Sequence, residues 1–229
     1  MRIAAHVGMM LLLAVGFGFL IRQQLSQQRQ QLSQREEYRG LPADLQMIDE
    51  ARPDRIEPPP KPDLQPGDDW LTCFELTERS GQVVTTESLL GQPYLVSFFF
   101  TLCPSICVKQ NQQLAELQAE FAGQPVRFLS ISVDPENDRP EALREYASRF
   151  NADPEQWLFL TADDPIYVRR VGAEIYQVSA DLEHTERFIL VNPEGEIEGL
   201  YMWSYPKSLA RLKRDIAALI ASQPESSDS

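Results

Sequence analysis

The chain has 229 residues, a formal net charge of −13 and a hydrophobic content of 43%. This length suffices for one globular domain with extensions, and the apolar fraction is enough for a hydrophobic core. The acidic balance argues against nucleic-acid binding, because phosphate contacts need an excess of Lys and Arg. Three cysteines are too few for a disulfide-built scaffold, so the domain must depend on its core.

The amino-terminal segment is predicted to be a membrane anchor. Residues 3–21 contain no Asp, Glu, Lys or Arg and lie between Arg2 and Arg22. At about 1.5 Å per residue, this run is just long enough to cross a bilayer as a helix. It is not followed by a small-x-small cleavage site or preceded by a transit peptide rich in Arg and Ser. We therefore expect an uncleaved, single-pass anchor at residues 1–22, in a bacterial cytoplasmic membrane.

The next part of the chain is predicted to be a spacer rather than a domain. A Gln-rich stretch follows the anchor, and residues 51–67 contain six prolines, which favour a stiff, extended backbone. Residues 23–67 are thus assigned to a stalk and linker, and residues 68–221 to one domain on the extracytoplasmic side. The last residues, 222–229, are polar and predicted to be disordered.

The predicted elements of the domain begin with a β-hairpin that turns at Ser80-Gly81. Residues 94–100 are apolar on both faces, which is typical of a strand covered on both sides. The later elements are predicted as a helix after Pro104 that ends at Gly123, a strand at 126–133, a helix at 138–150 with Asp138 as N-cap, a strand at 157–161, a helix from Pro165 to about 178, a hairpin turning at 192–195 and a closing amphipathic helix. This order is typical of an α/β, thioredoxin-like fold with an N-terminal β-hairpin.

Two cysteines follow the apolar strand directly. The pattern predicts Cys103 at the N-cap of the next helix and Pro104 at its first position, where proline is favoured. Cys107 would then lie one turn further along the same face. Because free N–H groups and the helix dipole favour a thiolate at this end of a helix, both sulfurs are predicted to be more reactive than an average cysteine.

The spacing of the pair argues against a structural disulfide. Cβ atoms at positions i and i+4 of a helix lie about 5–6 Å apart, whereas a relaxed disulfide needs about 3.5–4.5 Å. A bond between Cys103 and Cys107 would therefore require a bent first turn and would be easily reduced. Two adjacent thiolates also suit a soft metal ion such as Cu(I). A redox pair and a metal site both remain open from the residues alone.

A metal site would need a third ligand. His184 is the only histidine of the predicted domain, since His6 lies in the predicted anchor. Cys73 is the other candidate, and it is predicted to be a buried cysteine that packs as a small hydrophobe. A zinc site that joins Cys73 to the pair and His184 is an alternative, although zinc ligands are usually more closely spaced in sequence.

Several motifs together resemble the Sco (SenC-type) copper proteins. These are "FFFTLCPSIC" at 98–107, "SVDPENDRP" at 132–140, and a histidine followed by Thr shortly before a strand and "NPEG". The resemblance implies a thioredoxin-like fold, a single membrane anchor, and copper (Cu+ or Cu2+) bound by Cys103, Cys107 and His184. It also implies that the partner is cytochrome c oxidase subunit II or a related copper-accepting protein.

The chain departs from the family's usual pattern next to all three implied ligands. Ser105 and Val108 stand where the family commonly has Asp and Pro, and Glu183 stands where Asp commonly precedes the histidine. The implied function is a membrane-anchored copper chaperone. A thiol–disulfide oxidoreductase, in which Cys103 attacks a disulfide of the partner and Cys107 resolves the mixed disulfide, is the alternative. A peroxidase is less compatible with so close a pair, and a binding module would give the cysteines no role.

Overall fold

The computed structural model describes residues 53–60, 62–65, 68–179 and 186–223. The predicted anchor, the Gln-rich stalk and the implied ligand His184 lie outside these residues, as does most of the predicted tail. Within the described ranges, no helix is both long enough and apolar enough to cross a membrane.

The described residues form seven strands and four α-helices. The strands are β1 Glu75–Glu78, β2 Val83–Thr85, β3 Tyr94–Phe99, β4 Arg127–Ser132, β5 Trp157–Thr161, β6 Arg187–Val191 and β7 Ile197–Met202. The helices are α1 Ile106–Glu120, α2 Pro140–Ser148, α3 Pro165–Arg170 and α4 Pro206–Ala221, with a 3-10 turn at Glu87–Leu89 and a π-helical turn at Val171–Ile175. Both predicted hairpins, all the predicted strands and the closing helix are present.

The strands form one mixed sheet in the order β2-β1-β5-β4-β3-β6-β7. Strands β3, β4 and β5 are parallel, so their carboxyl ends meet at one edge of the sheet. Strand β6 runs antiparallel to β3, with Val96 opposite Ile189, and therefore begins at that same edge. All six residues of β3 are buried, as its apolar run predicted. The predicted α/β fold with an N-terminal hairpin is confirmed.

Each face of the sheet carries its own hydrophobic core. Helices α1, α2 and α4 cover one face, where they pack on residues such as Leu95, Phe128 and Phe188. Helix α3 and the π-helical turn cover the other face, where they pack on residues such as Tyr94 and Val96. Side chains that alternate along β3 thus point into two different cores, and this burial on both sides fixes the position of its carboxyl end.

Part of the proline-rich segment lies against the outer strand of the sheet. Ile56 pairs with Leu200 of β7 through two backbone hydrogen bonds of 2.8 and 2.9 Å. Arg55 next to it forms an ion pair with Glu198 at 3.0 Å and lies over Gly199, where the lack of a side chain leaves room for it. These contacts cover a stretch of the β7 edge that would otherwise present free backbone groups.

Two predicted helix starts are wrong. Helix α1 has Ser105 as its N-cap rather than Cys103, because the chain first makes a turn in which the Cys103 N–H donates to the Phe100 carbonyl over 3.3 Å. Helix α2 has Arg139 as its N-cap rather than Asp138. The Asp138 carboxylate does not cap this helix, because it accepts hydrogen bonds from residues at the carboxyl ends of two strands.

The predicted helix at 165–178 is shorter than expected. The α-helical part ends at Arg170, and the π-helical turn Val171–Ile175 follows it. Gln177 then adopts a left-handed backbone conformation, with φ of 57°. A residue with a left-handed backbone conformation cannot continue a right-handed helix. The spacing of apolar residues does not reveal such a position.

Candidate metal and thiol site

The turn between β3 and α1 carries the two cysteines predicted to be functional. Cys103 lies in the turn, and Cys107 lies in the first turn of α1. Both are in the reduced form, with 3% and 1% of their surface exposed, respectively. They belong to the core that α1, α2 and α4 form on the sheet. The fold therefore brings the pair together at the carboxyl end of β3, just below the surface.

The start of α1 surrounds the sulfur of Cys103 with hydrogen-bond donors. The Cys107 N–H donates to Cys103 Sγ over 3.3 Å, and the N–H groups of Ser105 and Ile106 and the thiol of Cys107 also interact with this sulfur. Burial by itself raises the pKa of Cys103, but these donors stabilise its thiolate and the net effect is a lowered pKa. The predicted activation is therefore present at Cys103.

The same prediction is wrong for Cys107. Burial, followed by the hydrogen bond of its thiol to Cys103, raises the pKa of Cys107 to about 12. The nearby negative charge of Asp138 acts in the same direction. Because Cys107 lies within the helix, its sulfur does not receive the free N–H groups that face Cys103. The pair therefore contains one activated thiol and one thiol that keeps its proton.

A buried polar network lies beneath α1 and holds it to the sheet. The Asn111 amide donates to the Cys107 carbonyl over 2.8 Å and to the Tyr146 hydroxyl over 3.3 Å. Its oxygen accepts from the hydroxyl of Ser130 in β4 over 3.2 Å, and the Trp157 indole also donates to Ser130, over 3.0 Å. Asn111 is not among the residues predicted from the sequence, although an amide in an otherwise apolar position of a helix is a usable signal.

A second network joins the turn to β4. The fully buried carboxylate of Asp138 accepts hydrogen bonds from the Thr101 N–H over 3.0 Å and from the Thr101 hydroxyl. It also accepts from the hydroxyl of Ser132 over 2.6 Å. Burial raises the pKa of Asp138, and these hydrogen bonds only partly offset the rise. The sequence predicts Asp138 as a helix cap and does not indicate this contact with the cysteine turn.

The third cysteine lies apart from the pair. Cys73 precedes β1 and is exposed, so the prediction of a buried cysteine is wrong. Strand β1 lies three positions from β3 in the sheet, which corresponds to about 14 Å at the usual strand spacing. Among the residues that the structure describes, no group of three Cys, His, Asp or Glu residues could hold a metal ion. The described residues thus give no support to a zinc site that includes Cys73.

Comparison with known proteins identifies the family. The SCO1/SenC family model matches residues 62–221 of this chain. The SCO1 protein homolog of Bacillus subtilis is 29% identical over 133 residues, which are 54% of this chain and 69% of that protein.

Solved structures of this family have the same fold. A structure of BsSco, described as a member of the Sco family of cytochrome c oxidase assembly proteins with a disulfide switch, has a TM-score of 0.61 and 25% identity over 69% of this chain and 97% of that one. Bradyrhizobium japonicum ScoI with copper bound has a TM-score of 0.55 and 26% identity over 66% of this chain and 99% of that one. The chain has the thioredoxin-like fold of these proteins and belongs to the SCO1/SenC family.

Proposed function

We propose that this protein binds copper as its cargo, through Cys103, Cys107 and His184, and delivers it to the copper centre of cytochrome c oxidase. The observation that carries the proposal is the pair of cysteines held together at the carboxyl end of β3, with one sulfur already surrounded by N–H donors. Membership of the family supports it, since a relative is described as binding copper and another as an oxidase assembly protein.

The donor chemistry of the pair fits copper. Thiolate is the ligand that Cu(I) prefers, and imidazole binds copper in both oxidation states. Ligands must be deprotonated to bind, so copper binding would release the proton that Cys107 retains. The apolar core around both sulfurs keeps water away from them and favours a soft, low-charge ion over a hydrated one.

The course of β6 supports His184 as the third ligand. Strand β6 starts at Arg187, at the edge of the sheet where β3 ends and the cysteine turn begins. His184 precedes Arg187 by three residues, which is a reach of at most about 10 Å for an extended chain. An imidazole attached to this segment is therefore close enough along the chain to complete a site with the two thiols.

We also propose the setting in which the protein works. Residues 1–22 anchor it in a bacterial cytoplasmic membrane, and residues 23–67 form the spacer, of which Arg55 and Ile56 lie against β7. The domain at 68–221 lies on the extracytoplasmic side. The partner is cytochrome c oxidase subunit II or a related copper-accepting protein. Support comes from the uncharged run at 3–21 and from the resemblance to an anchored family.

A second function is favoured by the unequal thiols. In a thiol–disulfide exchange, the Cys103 thiolate attacks a disulfide of the partner, and the partner's first sulfur leaves as a thiolate that takes up a proton. Cys107 then loses its proton and attacks the mixed disulfide, which forms a Cys103–Cys107 disulfide and releases the second thiol. Two electrons pass from this protein to the partner. The lowered pKa of Cys103 suits the attacking role, and the protected Cys107 suits the resolving role.

The variant His184→Ala separates the two functions, with His6→Ala as the matched control because it removes the only other imidazole. We expect His184→Ala to lose tight Cu(II) binding, measured by competition with a chelator, and to keep its rate of disulfide exchange. His6→Ala should retain both properties. Equal Cu(II) affinity in His184→Ala and the wild type would refute the three-ligand site.

A further inference from the structure

The backbone just before the cysteines is held by a single buried carboxylate. The parallel ladder between β3 and β4 ends at the pair Phe99–Ser132. Two residues later, Thr101 directs both its N–H and its hydroxyl at Asp138, which is 0% exposed. The same carboxylate accepts a hydrogen bond from Ser132, the last residue of β4. Asp138 thus continues the connection between the two strands beyond the point where backbone pairing stops.

This connection determines where the cysteine turn starts. Thr101 lies two residues before Cys103, and the turn closes through the bond from the Cys103 N–H to the Phe100 carbonyl. Hydrogen bonds to a charged, buried acceptor are stronger than those between neutral groups. The Asp138 carboxylate therefore restrains Thr101 more firmly than a further backbone pair would.

We propose that Asp138 is a positioning residue which, acting through Thr101, holds the Cys103 sulfur against the N–H groups at the start of α1. In this arrangement the pair is preorganised in its reduced form, the form that a thiophilic metal ion or a partner's disulfide requires. What the pair then does rests on the proposed function, but the positioning itself does not. Ser132 anchors the carboxylate to β4, so the position of the turn is fixed relative to the rigid sheet rather than to a loop.

The test compares the redox equilibrium of the cysteine pair across variants of the full-length chain. Asp138→Asn removes the charge, and Thr101→Val removes the hydroxyl with little change of shape. Each variant is equilibrated with glutathione buffers, and the Cys103–Cys107 disulfide is quantified by peptide mass spectrometry. We expect both variants to shift the equilibrium towards the disulfide by about tenfold, the value of one lost charge-assisted hydrogen bond. Thr101→Ser, which keeps the hydroxyl, should behave like the wild type.

Two controls separate positioning from general stability. Ser97→Ala removes a buried hydroxyl within β3, which interacts with Ser130 rather than with Asp138, and should lower stability without moving the equilibrium. The double variant Thr101→Val/Asp138→Asn should shift the equilibrium no more than Asp138→Asn alone, because both changes break one connection. A wild-type equilibrium in Thr101→Val, or an equal shift in Ser97→Ala, would overturn the inference.

The outcome is independent of the proposed function. If the wild type failed to bind copper while Thr101→Val still shifted the glutathione equilibrium, the proposed function would fail and the positioning role would stand. If copper bound normally and the equilibrium did not move in Thr101→Val, the positioning role would fail and the proposed function would stand.

Discussion

The backbone N–H of Cys107 donates a hydrogen bond to the sulfur of Cys103 over 3.3 Å. This contact exists because Cys103 lies outside α1 and Cys107 lies inside it. The free N–H groups at the start of a helix point away from the helix, so the sulfur in the preceding turn receives them. The two thiols therefore differ in acidity although they are only four residues apart.

The first prediction concerns the pH dependence of the two thiols. Because the pKa of Cys103 is lowered, its alkylation by iodoacetamide should reach half its maximal rate at a lower pH than that of an ordinary cysteine. The pKa of Cys107 is raised to about 12, so its alkylation should stay slow throughout the neutral and moderately alkaline range. Peptide mass spectrometry after timed alkylation gives both rates.

The variant Cys107→Ala provides the control for this experiment. It removes a hydrogen-bond donor from the Cys103 sulfur, so the midpoint for Cys103 should move to higher pH. An unchanged midpoint would show that the Cys107 thiol does not stabilise the Cys103 thiolate. Faster alkylation of Cys107 than of Cys103 in the wild type would reverse the proposed attacking and resolving roles.

The second prediction concerns the network beneath α1. Asn111→Ala removes the amide that joins Cys107, Tyr146 and Ser130, so each of these buried groups loses one hydrogen bond. We expect the free energy of unfolding to fall by about 1–3 kcal/mol in urea denaturation. Gln112→Ala changes the adjacent, exposed residue and should alter stability by no more than about 0.5 kcal/mol. Equal losses in both variants would contradict a specific role of the network.

The third prediction concerns the segment that lies on β7. A Cβ atom at position 199 would approach Arg55 Nε to 3.0 Å, so Gly199→Ala should displace Arg55 from Glu198. We expect a loss of about 1 kcal/mol in urea denaturation, typical of a partly exposed ion pair and a small steric conflict. In an Arg55→Ala background the same change should cost much less. If Gly199→Ala cost as much in that background, its effect would not arise from Arg55.

The fourth prediction concerns Cys73. This cysteine is exposed and lies three strand positions from β3. Cys73→Ser should therefore leave the copper content per chain unchanged, as measured by elemental analysis after anaerobic loading. The same variant should lose the thiol that a bulky reagent labels first in the native protein. A lower copper content in Cys73→Ser would point to a ligand role for this residue.

The predicted elements were found because their signals are local. The apolar run of β3 and the Ser80-Gly81 turn lie within short windows, and each is reproduced in the structure. The close pairing of Cys103 and Cys107 was predictable for the same reason, since both follow the end of one strand. The start of α1 was misplaced by two residues, because a turn and the first turn of a helix have similar sequence signals.

The sequence by itself determined the α/β class, the position of the thiol pair after a buried strand and the nature of the donors available to a metal ion. Only the tertiary structure decided which thiol is activated, because that depends on where the helix N–H groups point. It also decided that Asp138 holds Thr101 rather than capping α2. This contact spans 37 residues and exists because parallel strands bring their carboxyl ends to one edge, a long-range consequence of topology that no local pattern encodes.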